Sequence, residues 1–577
     1  MKGLYRKYIL RYPWSFAAAL FCVACEAACD LLGPTIMARV LDDGILQHSL
    51  ANVLHFGGLM LLCTLAGAGF AISRSILSSR VSQQIGADLR HDLFAKILRF
   101  SQQSADRLQA SSLITRMTND TTQVTQFVYG MMRIFIKAPL TCIGSIVLAS
   151  LLNLKLSLII YATVAMVGLL LGLSMKLSYP RFSKLQLAMD RINLVVQEYL
   201  LGVRLVKAFG TGKAEQARFS AANQSLQKQG ISAQMVITLM SPLITFMVGL
   251  GTVLILALGG RMHAQGAVQA GDISAFIIYM TQMLSSLLMI TNIFNTFVRT
   301  KASAARINEV FLAKEDAPPS LQPQALKGEV TFENVTFAYP SGSGAAVLKH
   351  LSFTVKPGES LAIIGPTGSG KTTLCWLLLR FYEATEGRIL LDGRDIRLFD
   401  TATIRANIAI VPQKPMLFAG SIADNLLWGK PDATREEMAE ALQQAQADFV
   451  HDMPAGVNSL LGGAGVNLSG GQKQRLSIAR GLIKQAPVLL MDDATSALDA
   501  ITEMHVRKAL AACSAKHSLI TVTQRCTTAM SASRILVLEN GECVGLGTHA
   551  QLLRTCKPYI EIYRSQVDSS REAVKNV

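Results

Sequence analysis

Two adjacent aspartates, Asp492 and Asp493, end the apolar run of the segment VLLMDDATSALDA, which extends from Val488 to Ala500. A short buried strand that ends in an acid is a common way to hold a magnesium ion. Asp492 is therefore a candidate metal ligand. Metal binding alone does not explain Asp493, whose role depends on motifs elsewhere in the chain.

The segment SLAIIGPTGSGKTTL carries a phosphate-binding pattern, G-x-x-x-x-G-K-[ST], between a strand-like and a helix-like run. Its glycines let backbone N–H groups wrap phosphates, Lys371 reaches the terminal phosphates, and the Thr372 hydroxyl can ligate magnesium. Asp492 then closes the metal site from a neighbouring strand. A glycine-rich turn that matches by chance is the alternative, and the flanking elements disfavour it. The predicted nucleotide ligands are Gly365, Pro366, Thr367, Gly368, Ser369, Gly370, Lys371, Thr372 and Thr373.

The segment NLSGGQKQRLSIARGL, residues 467–482, resembles the signature of ATP-binding-cassette (ABC) proteins. Other cassette elements follow the family order: Tyr339 in FAYP, Gln413 in VPQ and Asp499 in SALD. Upstream, SADRLQASSLITRMTNDTTQV and EYLLGVRLVKAFGTGKAEQARF resemble the two intracellular segments of ABC exporters. The resemblance covers almost the whole chain.

This resemblance implies a half-transporter that works as a dimer with a second ABC subunit. Each ATP and its Mg²⁺ would lie between one chain's phosphate loop and the other chain's signature, whose serine hydroxyl and helix N-terminus are good donors to a γ-phosphate. Tyr339 would stack on the adenine. Gln413 would sense the metal, with Thr372 and Asp492 as its other protein ligands. The residues implied in catalysis are Ser469, Gly470, Gly471, Gln472, Asp493, Asp499 and the residue at position 524.

Three positions depart from the family pattern. Asp493 stands where hydrolysing cassettes usually have a glutamate that orients or deprotonates water, and Gln524, in ITVTQRCTT, stands where the switch histidine belongs. Gly463 occupies the place of a glutamate that often couples the two sites. Because the binding elements are intact, the chain resembles the degenerate-site subunit of bacterial heterodimeric multidrug exporters. A slow homodimer is the alternative.

The elements that must position these residues form two parts. The chain has 577 residues, half of them apolar, and its mean hydropathy of +0.35 is high for a soluble protein. Apolar segments of about 20 residues can cross a bilayer. Six are predicted, near residues 14–37, 53–73, 128–152, 154–175, 235–259 and 273–298.

The chain has a net charge of +16, and much of it lies in two long connections. By the positive-inside rule, these connections, the N-terminus and the ATP-binding domain are expected to be cytoplasmic. The resemblance to bacterial exporters implies that the membrane is a bacterial inner membrane. This topology explains much of the charge without a nucleic-acid partner. The basic residues of the two connections are Arg74, Arg80, Arg90, Lys96, Arg99, Arg107 and Arg116, and Lys176, Arg181, Lys184, Arg191, Arg204, Lys207, Lys213, Arg218 and Lys228.

Residues 1–315 are thus predicted to form an α-helical membrane domain whose spanning helices continue into the cytosol. The proline-rich stretch DAPPSLQPQ marks a linker, residues 316–326, and residues 327–577 form a parallel α/β P-loop cassette. Two carboxylates in the first span, Glu26 and Asp30, are expensive in a membrane and face either a cavity or a partner. They are either a site for cationic cargo or a structural pair, with Arg39 as one candidate partner.

The function that these features imply is ATP-driven export of hydrophobic or amphipathic small molecules, either drugs or lipids. A homodimeric exporter or lipid flippase with slow ATPase activity is the alternative. An ATP-gated channel is a further one, although no long regulatory insertion is evident. A non-transporting scaffold protein would lack the membrane spans.

Overall fold

The computed structural model describes residues 2–316, 325–340, 344–513 and 517–575. They form two compact units, Met1–Leu98 with Ser111–Leu312 and Arg99–Ala110 with Ala313–Val577. Residues 317–324, most of the predicted linker, lie outside the described residues, so the predicted domain boundaries stay predictions. The segment Arg99–Ala110 belongs to the second unit although it connects two helices of the first.

The first unit is built of helices, to which π-helical turns at Val40–Ile45 and Arg116–Asp120 add one turn each. In chain order, the helices up to residue 312 are α1 (Lys2–Ile9), α2 (Pro13–Arg39), α3 (Leu50–Leu98), α4 (Gln102–Leu108, in the second unit), α5 (Ala110–Thr115), α6 (Thr121–Arg133), α7 (Lys137–Leu152), α8 (Leu154–Ala208), α9 (Gly212–Ala264) and α10 (Ala270–Leu312).

Within the described residues, six helical stretches are long and apolar enough to cross a membrane: Pro13–Ile45, Leu50–Leu98, Ala110–Leu152, Leu154–Ala208, Gly212–Ala264 and Ala270–Ile290. This confirms the predicted six-helix membrane domain. Helices α3, α9 and α8 have 49, 53 and 55 residues. At 1.5 Å per residue they are about 74–83 Å long, whereas the bilayer core is only ~30 Å thick. The predicted continuation of the spanning helices beyond the membrane is therefore confirmed.

Apolar side chains of several helices meet around Tyr279, which is fully buried on α10. Its hydroxyl donates to the carbonyl of Leu31 at 2.9 Å and also lies 2.7 Å from the Thr35 hydroxyl. Ile160 on α8 and Ile255 on α9 belong to the same core. A buried phenol needs such partners, because an unpaired polar group in an apolar interior is unfavourable.

A network of four charges connects α2, α3 and α7. Glu26 is 5% exposed, and its Oε2 lies 2.7 Å from Arg74 Nε. Lys137 Nζ lies 2.5 Å from Glu26 Oε1 and 2.8 Å from Asp30 Oδ2. Arg39, the partner considered for these carboxylates, pairs with Asp43 instead, at 3.3 Å. Arg74, the first basic residue of the first long connection, is buried against Glu26.

The second unit contains twelve described strands, β1 (Val330–Phe337), β2 (Leu348–Val355), β3 (Ser360–Ile364), β4 (Glu386–Leu391), β5 (Arg394–Asp395), β6 (Ile408–Val411), β7 (Gly420–Ser421), β8 (Leu460–Leu461), β9 (Val488–Asp492), β10 (Ser518–Thr523), β11 (Arg534–Glu539) and β12 (Glu542–Gly547). They form sheets in the orders β2-β1-β4-β5, β12-β11-β3-β10-β9-β6 and β7-β8. The helices of this unit after residue 316 are α11 (Lys371–Leu378), α12 (Thr401–Asn407), α13 (Ile422–Leu427), α14 (Arg435–Gln444), α15 (Gly470–Leu482), α16 (Ala500–Cys513), α17 (Cys526–Ala529), α18 (His549–Thr555) and α19 (Lys557–Lys575).

The six-stranded sheet has a parallel core, as predicted. Strand β10 lies between β3 and β9 and is parallel to both, and β6 is parallel to β9. Every residue of β9 is buried, which explains its continuous apolar run. Because the strands are parallel, their carboxyl ends meet at one edge of the sheet. Ile364, Asp492 and Thr523 end β3, β9 and β10 at that edge.

The predicted orientation can be tested with single cysteines in a variant whose ten native cysteines are replaced. Asp43→Cys, in the π-helical turn after α2, and Gln265→Cys, directly after α9, are expected to react with a membrane-impermeant thiol reagent in intact cells. Gln103→Cys and Lys213→Cys, both at exposed positions, are expected to react only after lysis. Labelling in the reverse pattern would contradict the orientation drawn from the basic connections.

Candidate nucleotide-binding site

The loop between β3 and α11 has glycines at positions where the backbone conformation or the close packing disfavours a side chain. Gly368 and Gly370 have φ values of +84° and +99°, a region that favours glycine. A Cβ at Gly370 would lie 2.7 Å from the Leu348 side chain, and one at Gly365 would lie 2.0 Å from the Leu538 carbonyl oxygen. The loop therefore curls tightly at the end of β3, and α11 begins directly after it.

The Lys371 ammonium group lies inside this loop. Its Nζ donates to the carbonyl oxygens of Gly365 at 2.9 Å and Pro366 at 2.7 Å, and it is 3.4 Å from Ser369 Oγ. Burial lowers the pKa of Lys371, and the charges of the two aspartates at the end of β9 oppose that shift. The loop thus holds a cation where a polyphosphate chain would need one.

Thr372 and Asp492 bring a hydroxyl and a carboxylate together. Thr372 Oγ1 donates to Asp492 Oδ1 at 3.2 Å, and Asp492 is only 4% exposed. Burial raises the pKa of Asp492, whereas the hydrogen bond from Thr372 lowers it. Both groups offer oxygen atoms as metal ligands beside the phosphate loop, and oxygen atoms are the ligands that Mg²⁺ prefers. The residues present therefore fit a magnesium ion bound together with a nucleotide.

A cleft of about 290 Å³ lies next to these groups. It brings together most of the predicted ligands with Asp493 and Gln524, two of the three residues that depart from the family pattern. The described residues that line it are Val347, Thr367, Gly368, Gly370, Lys371, Thr372, Thr373, Gln413, Asp492, Asp493, Val522 and Gln524. Val347 and Val522 were not predicted from the sequence, because isolated apolar residues carry no recognisable motif.

Asp493 follows β9 directly and has a φ of +48°, a conformation that aspartate tolerates better than most residues. Its backbone N–H donates to the Val522 carbonyl oxygen at 2.9 Å, which fixes the turn against β10. Its carboxylate accepts a hydrogen bond of 3.3 Å from Gln413 Nε2. The structure therefore places Asp493 beside Gln413, on the wall of the cleft.

Gln524 comes directly after β10 and lines the same cleft. Its backbone carbonyl accepts a hydrogen bond of 2.7 Å from Gln566 Nε2. None of the histidines in the described part of the chain lines this cleft. Gln524 thus lies in the same cleft as the phosphate loop, and its role stays a prediction.

A buried carboxylate connects the loops that follow β9 and β10. It was not predicted from the sequence. Glu503, on α16, is 3% exposed and accepts hydrogen bonds from Thr495 Oγ1 at 3.1 Å and Thr528 Oγ1 at 2.6 Å. It also forms an ion pair with Arg525, whose guanidinium donates to the Ser496 carbonyl at 3.1 Å. Since Arg525 follows Gln524, this network positions the loops that carry Asp493 and Gln524. No recognised motif signals Glu503.

Tyr339 is not one of the residues that line the cleft, but its hydroxyl lies 2.9 Å from the hydroxyl of Thr373, which does line it. The ring packs edge-to-face against Tyr382, with centroids 5.2 Å apart, and against Trp376 at 6.3 Å. Such contacts fix the orientation of an aromatic ring. Adenine stacking on Tyr339 stays a prediction.

The signature residues form the start of helix α15. Ser469 caps the helix: its Oγ accepts from the Gln472 N–H at 3.3 Å, and Gln472 Oε1 accepts from the Ser469 N–H at 2.9 Å. Gly470 and Gly471 form the first turn. None of the four is among the described residues that line the cleft. Within one chain, the structure brings the phosphate-loop elements together but leaves the signature outside them.

Two further predicted positions lie on turns. Asp499 caps α16, because its Oδ1 accepts a hydrogen bond of 2.9 Å from the Thr502 N–H, and this bond lowers the pKa of Asp499. Gly463 precedes the signature, and a Cβ added there would meet no atom within 4 Å. The absence of a glutamate at Gly463 is therefore not forced by packing within this chain.

Residues 16–287 match the ABC transporter transmembrane region family, and residues 348–496 match the ABC transporter family. The chain is 38% identical over 559 residues to the uncharacterized ABC transporter ATP-binding protein YfiB of Bacillus subtilis (strain 168), covering 96% of this chain and 97% of YfiB. It is 31% identical over 581 residues to an ATP-dependent lipid A-core flippase of Nitrosococcus oceani, covering 99% of this chain and 97% of the flippase.

Among solved structures, a bacterial Atm1-family ABC exporter with ATP bound superposes with a TM-score of 0.80 at 27% identity, covering 98% of this chain and 99% of the exporter. The described fold is thus that of an ABC exporter. Six apolar helices and homology to ABC transporters make the chain a multi-pass membrane protein. Its cassette implies ATP binding, typically with Mg²⁺, and ATP hydrolysis coupled to transport. The chain belongs to the ABC transporters, as a half-transporter in which one transmembrane domain is fused to one ATP-binding cassette.

Proposed function

We propose that this chain is one subunit of a heterodimeric ABC exporter in the bacterial inner membrane, with its N-terminus and cassette in the cytoplasm. Its own phosphate-loop site would hold Mg-ATP but hydrolyse it slowly. The cargo would be a hydrophobic or amphipathic small molecule, either a drug or a lipid. The observation that supports this proposal is that Asp493 and Gln524 line a cleft whose nucleotide-binding groups are intact.

Asp493 is the first reason to expect slow hydrolysis. An aspartate side chain is one methylene shorter than the glutamate usual at this position, and a displacement of ~1 Å can lower a rate by about 100-fold. In this chain the Asp493 carboxylate also accepts a hydrogen bond from Gln413. A water molecule placed for a glutamate would therefore lie beyond the reach of this carboxylate.

Gln524 is the second reason. A glutamine side chain can donate a hydrogen bond to a γ-phosphate, but it cannot accept a proton and become a cation as an imidazole does. The expected consequence is that Gln524 supports nucleotide binding more than turnover. Both departures affect hydrolysis on the phosphate-loop side of one composite site.

The groups proposed to bind the phosphates and Mg²⁺, by contrast, lie beside the cleft. Lys371 lies inside the loop, the hydroxyl and carboxylate of Thr372 and Asp492 are paired, and the signature helix is capped by Ser469. In a head-to-tail dimer, this intact signature would serve the phosphate loop of the partner subunit. We therefore propose that turnover occurs at the partner's site, while ATP at this chain's site keeps the cassettes associated.

A homodimeric exporter or lipid flippase with slow ATPase activity is the second candidate. The similarity to the Nitrosococcus oceani lipid A-core flippase over nearly both full lengths favours it. The two candidates differ in the partner: a homodimer has two identical sites with Asp493 and Gln524, whereas a heterodimer has one. An ATP-gated channel is a third, less favoured candidate.

Nucleotide binding can be tested by photolabelling. The purified chain is expected to be labelled by a photoreactive ATP analogue with Mg²⁺, and Lys371→Ala should weaken labelling strongly, because the loop loses its only lysine. Lys349→Ala, at an exposed lysine paired with Glu542, is a matched control. Wild-type labelling no stronger than that of Lys371→Ala would contradict an ATP site here.

The proposed asymmetry gives a second prediction. In the assembled dimer, Asp493→Asn and Gln524→Ala should each leave most of the ATPase activity, because they alter a site that already hydrolyses slowly. Ser469→Ala and Gly471→Glu should lower it by on the order of 100-fold, because the partner's site loses γ-phosphate donors. Steady-state phosphate release is the measurement. Equal losses for both pairs of variants would contradict a degenerate site.

Restoring the two missing groups gives a third prediction. In the double variant Asp493→Glu/Gln524→His, this chain's site is expected to hydrolyse ATP. The glutamate carboxylate extends further than that of aspartate, and an imidazole faces the γ-phosphate. With the partner's phosphate-loop lysine replaced by alanine, the double variant should hydrolyse ATP at least about tenfold faster than wild type paired with the same partner. No gain in that background would mean that other features of the site limit hydrolysis.

A further inference from the structure

The charge network of the first unit is buried at one end, at Glu26 and Arg74, and partly exposed at its open end, at Asp30 and Lys137. Glu26 is buried, with Arg74 at its Oε2 and Lys137 at its Oε1. At the other end, the side chain of Asp30 is 43% exposed and that of Lys137 is 26% exposed. Asp30 is joined to the network through the 2.8 Å contact with Lys137. In the single chain, the Lys137–Asp30 pair is therefore partly accessible, and Lys137 also contacts the buried Glu26 carboxylate.

The position of Asp30 along α2 makes contact between its carboxylate and lipid tails energetically unfavourable. Helix α2 has 27 residues, Glu26 is its central residue, and Asp30 lies one turn further along, about 6 Å by helical rise. An exposed carboxylate at such a depth is strongly unfavourable in hydrocarbon and instead faces water, a cavity or a partner. Contact with lipid tails is therefore disfavoured for the open side of the Lys137–Asp30 pair.

Polar groups next to the Lys137–Asp30 pair continue onto a third helix, α10. Gln282 of α10 donates from Nε2 to the Asp30 carbonyl at 3.0 Å and accepts at Oε1 from the Ser145 hydroxyl of α7 at 3.3 Å. One turn away, the hydroxyls of Thr141 and Ser286 are 2.7 Å apart. Helices α2, α7 and α10 thus share a strip of polar groups inside an otherwise apolar domain.

We propose that Lys137 and Asp30 bind the zwitterionic head group of an amphipathic cargo as it crosses the membrane domain. The cationic group of the cargo, an ammonium, would pair with Asp30. Its anionic group, a phosphate, would pair with Lys137. This inference rests on the proposed export function and names the class of cargo.

The charge balance of the network favours a zwitterion over a singly charged cargo. The four side chains carry two positive and two negative charges, so the network is neutral. A zwitterion that separates Lys137 from Asp30 replaces one ion pair with two and leaves every charge paired. A cation or an anion alone would bring an unbalanced charge into a low-dielectric region, which is unfavourable. The Glu26–Arg74 pair persists throughout and keeps Lys137 in place.

The test is head-group selectivity, measured by native mass spectrometry on the full chain together with any partner subunit that co-purifies. The probes are phosphatidylethanolamine, phosphatidylglycerol and an alkylammonium amphiphile with matched short chains. Wild type is expected to bind phosphatidylethanolamine about tenfold more tightly than either of the others, because that probe satisfies both charges.

Asp30→Asn is the most informative variant, because Lys137 keeps Glu26 as its partner. It should abolish the preference for phosphatidylethanolamine, and Asp30→Glu should restore it. Lys137→Met should also abolish the preference, and the double variant Asp30→Asn/Lys137→Met should lose no more than either single variant. Asp43→Asn, which removes the carboxylate of the Arg39–Asp43 pair, is the matched control and should keep the preference.

Three results would overturn the proposal. Equal affinity of wild type for all three probes would make the Lys137–Asp30 pair structural. A preference for alkylammonium that is lost in Asp30→Asn would indicate cationic cargo, and a preference for phosphatidylglycerol lost in Lys137→Met would indicate anionic cargo. Labelling of the same variants with an ATP analogue separates this proposal from that of the degenerate site: Asp30→Asn should label normally whichever outcome the lipids give.

Discussion

The parallel pairing of β3, β10 and β9 is the constraint on which the nucleotide site depends. Because the three strands run in one direction, their carboxyl ends place the phosphate loop, the two aspartates and Gln524 at one edge of the sheet. No two of these groups are close in sequence except the aspartates. A register shift of one residue in β9 would move Asp492 away from Thr372 and bring Asp493 or Met491 into its place.

The membrane domain obeys a related constraint, that buried charges must be paired. Glu26 lies in the middle of an apolar helix, and it is tolerable there because Arg74 and Lys137 reach it from two other helices. This network also fixes α2, α3 and α7 relative to one another. Its open end, at Asp30, then becomes the place where a transported molecule could interact without leaving a buried charge unpaired.

Much of this architecture could be predicted from the sequence, since long apolar helices and a glycine-rich phosphate loop have strong local signals. The six spans, the helical extensions and the parallel cassette are examples. Partners across helices could not be predicted. The sequence shows that Glu26 and Asp30 are one turn apart, but whether Arg39, Arg74 or Lys137 reaches them depends on tertiary packing. Glu503 was missed for the same reason, because a buried carboxylate that joins two loops has no motif.

The site residues also divide into those that have a local sequence signal and those that do not. Lys371, Thr372 and Asp492 were predicted from a pattern, and the structure brings them together in one cleft. The departures at Asp493 and Gln524 were visible only against a family pattern, and the cleft places both beside the intact binding groups. In the proposed dimer, the signature of a second chain would complete this site.

The most direct test of the degenerate-site account follows the γ-phosphate at each site during turnover. The assembled dimer is supplied with a photoreactive ATP labelled on either the α- or the γ-phosphate and is crosslinked by a flash at intervals. If this chain's site is degenerate, the chain is expected to keep both labels equally, because it holds uncleaved ATP, while the partner keeps the α label and loses the γ label. Loss of the γ label from this chain as fast as from its partner would contradict the account.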